Sequence, residues 1–200
     1  MLIGVTGLYC AGKNYVASLL EKRGISVLDA DLLGHRAIEN KKDEIFARFG
    51  EDLRNPAEPN SGSVVNRRLL GEKVFGKEKE MAALEAIVHP EVNRMAEQWI
   101  IAQNGKNCAI NAALLHKSSA FGRLDGVILV SAPWLIRLAR AKRRDRLPWA
   151  AVFRRFLSQK QFIAQYLAGN ADIYRVENSC FFSKVERQID EILKTLQGGF

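Results

Sequence analysis

Leu2-Ile3-Gly4-Val5-Thr6-Gly7-Leu8-Tyr9-Cys10-Ala11-Gly12-Lys13-Asn14 decides how this chain is read. Leu2 to Thr6 is a short apolar run of strand type. Gly7 to Lys13 then follows G-x-x-x-x-G-K, the pattern of a loop that cradles phosphate groups. Its glycines let backbone N–H groups turn inward around an anion. The next helix adds its positive N-terminal end. Val16, Leu19 and Leu20 recur at helical spacing, and Gly24 ends the repeat. Strand, glycine loop and helix therefore come in the order that a nucleoside polyphosphate site requires. The loop residues expected at the nucleotide are Gly7, Cys10, Ala11, Gly12, Lys13, Asn14 and Tyr15, with Lys13 on the outer phosphates. One position departs from the pattern. Ser or Thr ordinarily follows the lysine and ligates magnesium, and here Asn14 stands there as the candidate metal ligand. Its amide oxygen can ligate a cation, but its NH2 needs an acceptor of its own. Two readings stay open: a tolerated variant with a weaker grip on metal, or a protein that binds nucleotide and catalyses poorly.

Outward from the loop, strand-like runs recur at Ile25–Leu28, Cys108–Asn111, Val127–Ser131 and Ile173–Val176, with helical stretches between them. Alternation of this kind predicts a parallel five-stranded sheet covered on both faces, with ligands beyond the carboxyl ends of the strands. The 200 residues suit a single domain, 1–200, and the hydrophobic share of 48% suits a packed core. Residues 32–106 form a long excursion, expected to be a helical substrate-binding insertion. It reads as helix through Phe49, loop over 50–66 (Gly50, Pro56, Pro59, Gly62), helix over Arg67–Phe75, and helix over Glu78–Val88. That last helix is expected to stop near His89-Pro90, before a further helix to about Gln103.

No run of 18 apolar residues occurs, so no membrane partner is expected, and the N-terminus does not read as a signal peptide. Cys10, Cys108 and Cys180 lack paired or metal-ligand spacing and fit a reducing cytoplasm. The net charge of +8 is concentrated. Arg137 to Arg146 holds five arginines and one lysine in ten residues. Arg137, Arg140 and Arg144 share one helical face, which suggests a lid (134–160) closing over a triphosphate. Aromatics are not interleaved with these residues as base-stacking surfaces need, so no nucleic-acid partner is expected.

The second strand runs into Asp29-Ala30-Asp31. If the strand continues, both carboxylates share a face and emerge beside the loop. Asp31 is the candidate base for a substrate hydroxyl, with His35 one helical turn on. The alternative is that Asp29 or Asp31 caps the next helix. Arg67, after Asn66, can bind a phosphate; paired arginines more often face solvent. His89 is read from position as a helix C-terminal cap. Asn111 ends the third strand where many nucleotide-binding proteins carry an acid for magnesium.

Together these residues resemble the dephospho-coenzyme A kinase family across nearly the whole chain. The resemblance rests on Ile3-Gly4-Val5-Thr6-Gly7 with Gly12-Lys13, Asp29-Ala30-Asp31, Asn66-Arg67 with Leu70, and Val74-Phe75. It continues through Leu84-Glu85, His89-Pro90, Leu114-Leu115, Arg140 with Arg144-Asp145, Gln159, and Ala171-Asp172 followed by Asn178. It implies a three-layer α/β/α P-loop kinase fold with a helical acceptor-binding insertion and a short helical lid. It implies transfer of the ATP γ-phosphate to the ribose 3′-hydroxyl of dephospho-coenzyme A, with magnesium or manganese. Asp31 would be the base and Lys13, Arg140 and Arg144 would handle the phosphates. Asn178 would lie near adenine, and Asp29, His35, Arg67 and His89 would line the acceptor side. The departures are Asn14 for Ser, Asn111 for an acid, Ala113 for Pro, Lys117 for an acid and Arg137 for Gln. Two alternatives accompany this reading: a catalytically weakened nucleotide or coenzyme A binder, and a kinase of another small hydroxylated metabolite.

Overall fold

The structure, a computed structural model, describes residues 1–55, 64–145, 147–157, 166, 171–179 and 182–198. Pro56, Pro59, Gly62, Arg146, Gln159 and Cys180 lie outside the described residues. The chain forms two compact units, Met1–Asp29 with Ile100–Phe200, and Ala30–Trp99. The second is the counterpart of the insertion expected over 32–106.

The first unit is built on five parallel strands: β1 (Leu2–Gly7), β2 (Ser26–Asp29), β5 (Cys108–Asn111), β6 (Gly126–Ser131) and β7 (Ile173–Glu177). Their order across the sheet is β2-β5-β1-β6-β7. Every residue of β5 is buried, as are Ile3 to Gly7 of β1, which is why these segments read as continuous apolar runs rather than alternating ones. Helices cover both sides of the sheet. On one side α1 (Lys13–Glu21) and α8 (Phe182–Gly198) share a core, through Val16, Leu19 and Leu20 from α1 and Val185, Ile189, Ile192 and Leu193 from α8. Val5 and Ile128 from the central strands complete it. Two further helices, α6 (Trp134–Asp145) and α7 (Trp149–Leu157), follow β6.

The second unit contains α2 (Ala30–Asn40), α3 (Lys42–Phe49), α4 (Arg67–Val74) and most of α5 (Glu78–Ala102). Ala37, Ile45, Phe46, Phe49, Leu70, Val74 and Val88 form its core. Asn66 caps α4 by accepting a 3.1 Å bond from the Leu69 backbone N–H. Glu91 is buried and ties α5 to α2, accepting from Asn40 at 2.7 Å. Its carboxyl is held at about 2 by the Arg94 guanidinium and then by Asn40.

Three expectations are corrected here. The second strand ends at Asp29, and Asp31 lies in the first turn of α2. The helix starts where the strand was extrapolated, and an acid in a first turn is favoured by the helix dipole. Pro90 does not separate two helices. α5 runs unbroken for 25 residues with Pro90 inside, so His89 is a mid-helix residue and not a C-terminal cap. An interior proline costs about 3 kcal/mol. Met81, Ala83, Leu84, Ile87, Val88 and Val92, on both sides of it, pack against one core and offset that cost. Within 50–66, which read as loop, a short helical turn (Glu51–Leu53) leads into the antiparallel strands β3 (Arg54–Asn55) and β4 (Val64–Val65). Two-residue strands are too short for alternation to reveal.

Among the described residues no helix is long and apolar enough to cross a membrane.

Candidate active site

The site grows from the end of β1. Gly7 pairs with Val130, and a Cβ there would meet the Val130 carbonyl oxygen at 2.7 Å, so only glycine lets the strand leave at this point. The loop closes with Gly12 at φ 97, a left-handed conformation that begins α1 with no side-chain cap. The amino end of α1 is thus left open to an anion. Lys13 is the first helical residue and Asn14 the second, exposed one. Tyr15 turns to the core and packs on the α1–α8 cluster. Cys10 holds φ 59, unusual for a residue with a Cβ. Burial pushes its thiol above the ordinary value, with Arg144 opposing.

The carbonyl side of the loop is gripped by the arginine helix. Arg137 is buried, donates from Nε to the Tyr9 carbonyl at 2.8 Å, and stacks 4.6 Å over the Phe156 ring. Arg140 Nη1 donates to the Ala11 carbonyl at 3.1 Å, and its Nη2 donates to Asn178 Oδ1 at 3.2 Å. Asn178, also buried, donates from Nδ2 to the same Ala11 carbonyl at 2.9 Å. A Cβ on Gly12 would meet that Nδ2 at 2.3 Å. The three arginines read as one lid face thus have separate tasks. Arg137 is an internal brace, Arg140 holds the loop, and Arg144 is exposed beside it, 5.3 Å over the Tyr9 ring.

Asp145 organises this edge. It accepts from the Tyr9 hydroxyl, from Arg144 at 2.6 Å and from Arg155 at 2.8 Å. The Arg144 bond, with Tyr9 adding, holds its carboxyl at about 2. Sequence reasoning missed Tyr9, Arg155 and Asp145 as a group. The available signal was one acid inside a run of arginines.

The opposite side of the loop faces β5. Lys13 Nζ donates to Asn111 Oδ1 at 3.3 Å, and Asn111 Nδ2 donates to Asn14 Oδ1 at 3.1 Å. Asn111 is buried, and Asp29 is its register partner on β2. The candidate metal ligand Asn14 and the position where an acid is usual, Asn111, therefore touch each other. Both offer neutral amide oxygens that already accept N–H groups. Magnesium prefers an octahedral shell of hard oxygens and gives up water reluctantly. Asn14 and Asn111 do not fit a magnesium site held by the protein.

Asp31, His35, Arg67 and His89 all belong to the second unit. Asp31 and His35 are exposed one turn apart on α2, Arg67 is exposed at the start of α4, and His89 is partly buried on α5. These helices share one core through Ala37, Leu70, Val74 and Val88.

A parallel sheet in this strand order, with a lysine-ended glycine loop between its central strand and α1, defines a P-loop nucleotide-binding fold. The same fold is seen in shikimate kinase from Aquifex aeolicus (TM-score 0.50, 17% identity, all of both chains covered). The chain belongs to the dephospho-CoA kinase family, whose profile matches residues 1–178. Similar proteins include the dephospho-CoA kinase of Treponema pallidum, 34% identical over 96% of this chain and 93% of the relative. The dephospho-CoA kinase of Thermus thermophilus is 33% identical over 100% of this chain and 93% of the relative. A crystal structure of a Thermus thermophilus protein superposes with a TM-score of 0.81 at 31% identity, covering 98% of this chain and 97% of the other.

Proposed function

We propose that this chain transfers the γ-phosphoryl group of ATP to the ribose 3′-hydroxyl of dephospho-coenzyme A, the last step of coenzyme A synthesis. The observation that supports this most is a lysine-ended phosphate loop within a family match over residues 1–178. Loop N–H groups and Lys13 hold the β- and γ-phosphates. Asp31 takes the proton of the 3′-hydroxyl as its oxygen attacks the γ-phosphorus. The bond to the β–γ bridging oxygen breaks, and ADP leaves. Arg140 and Arg144 neutralise charge spreading over the transferred group. Asp29, His35, Arg67 and His89 bind the acceptor. Asn178 serves the nucleotide side by bracing Ala11, the use to which its amide is already put. A divalent metal, magnesium or manganese, supplies charge neutralisation when it arrives with the triphosphate.

The test is Asp31→Asn with dephospho-coenzyme A as acceptor. Loss of a positioned base should lower kcat about 10²–10⁴-fold while ATP affinity stays within about twofold. A variant with wild-type turnover would sink the assignment. A second reading, a nucleotide binder with weakened catalysis, is favoured by the Asn14–Asn111 pair. It predicts ATP binding with no phosphorylated product from any acceptor in a panel.

A further inference from the structure

The bond chain on the β5 side of the loop has a fixed direction. The Lys13 ammonium can only donate, so the Asn111 atom facing it must be oxygen. Asn111 Nδ2 then faces Asn14, whose facing atom must in turn be Oδ1. No alternative amide orientation keeps both bonds. With its oxygen committed to Asn111, Asn14 has its own Nδ2 group left, on an exposed residue in the uncapped first turn of α1. A serine at this position would offer an oxygen to a metal. This asparagine offers two N–H donors to an anion.

We propose that Asn14 and Asn111 act as one positioning unit. Asn111 holds Lys13 for the phosphates, while Asn14 donates an N–H directly to a phosphate oxygen in place of a metal bridge. Nucleotide binding by this chain then depends only weakly on magnesium. The proposal rests on the nucleotide-site reading of the loop. It also makes the two positions interdependent. Asn111→Asp alone pairs away the Lys13 charge that the phosphates need and draws the Asn14 N–H onto the new carboxylate instead of a phosphate oxygen. Asn14→Ser alone removes the acceptor of a buried N–H. Changed together, a serine hydroxyl donates to the new carboxylate, and the pair becomes an oxygen site for a cation.

The experiment is calorimetric titration of ATP into wild type, Asn14→Ser, Asn111→Asp and the double variant, each in magnesium and in EDTA, with thermal melts confirming folding. The expected wild-type Kd differs less than about threefold between the two conditions, within the scale of one hydrogen bond. Asn111→Asp weakens binding in EDTA about tenfold or more. The double variant recovers when magnesium is supplied, tightening at least about tenfold, so the two changes are coupled rather than multiplicative. Asn14→Ser leaves Asn111 and Lys13 unchanged and by itself raises the magnesium dependence, which keeps the test decisive if Asn111 variants fail to fold. Magnesium tightening wild type tenfold or more, or effects that simply multiply, overturns the proposal alone. Wild type that binds no ATP in either condition overturns the nucleotide-site reading with it.

Discussion

The phosphate loop has two sides of opposite chemistry. On the Tyr9–Ala11 side, guanidinium groups and one amide bind backbone carbonyls, and Asp145 collects the surplus positive charge. On the Lys13–Asn14 side, a single ammonium leads into two neutral amides. The first side holds its geometry several times over, since Ala11 is bound by both Arg140 and Asn178. The second runs in series from Lys13 through Asn111 to Asn14, so a change at one link bears on the next. Departures from the usual P-loop pattern at Asn14 and Asn111 fall on that second side, and the fold tolerates them because neither is part of the loop's carbonyl brace.

The largest expected effect breaks the second side at its charged end. Lys13→Ala removes a preorganised donor to the transferring group and should lower kcat/KM about 10²–10³-fold, read from steady-state ADP release. Arg140→Ala comes next. It removes charge stabilisation, but Asn178 still holds Ala11, so about 10²-fold is expected. Arg140→Lys should recover part of this if charge matters more than the planar fork. Gly12→Ala probes the brace itself. The new Cβ falls 2.3 Å from Asn178 Nδ2 at a φ of 97, and strain of this kind costs about 1–3 kcal/mol, measurable by urea unfolding.

The smallest effect is a pH signature at Asp145. Its carboxyl sits at about 2 rather than at 3.8. A lowered carboxyl stabilises the fold fully above its unfolded value and loses that contribution as pH falls through the folded one. The stability gap between wild type and Asp145→Asn should therefore be about 1–2 kcal/mol near neutral pH. It should shrink between about pH 4 and pH 2. A gap independent of pH would mean that the ionised carboxylate is not what holds Tyr9, Arg144 and Arg155.

The sheet was legible in the sequence because each of its strands is an apolar run between turn residues, and Gly12 and Lys13 announce the loop directly. The end of β2 was not. Strand and helix meet at Asp29–Ala30 with no glycine or proline between them, so alternation was carried two residues too far, to Asp31. Pro90 misled because its local cost is written in the sequence while the long-range packing of Met81, Leu84 and Val92 is not. The arginine face was visible as periodicity, but its division into the buried Arg137 and the exposed Arg144 depends on Phe156 and Tyr9, far away in the chain. Asn14 and Asn111 were each noticed as departures. Their contact is a tertiary fact, made when β5 pairs with β1.

The most direct test of the account is ADP release by the wild-type protein with ATP, magnesium and dephospho-coenzyme A, against the same mixture lacking the acceptor. The account predicts release that requires dephospho-coenzyme A and matches its conversion to coenzyme A mole for mole. Equal release without the acceptor, or none with it while ATP still binds, would contradict it.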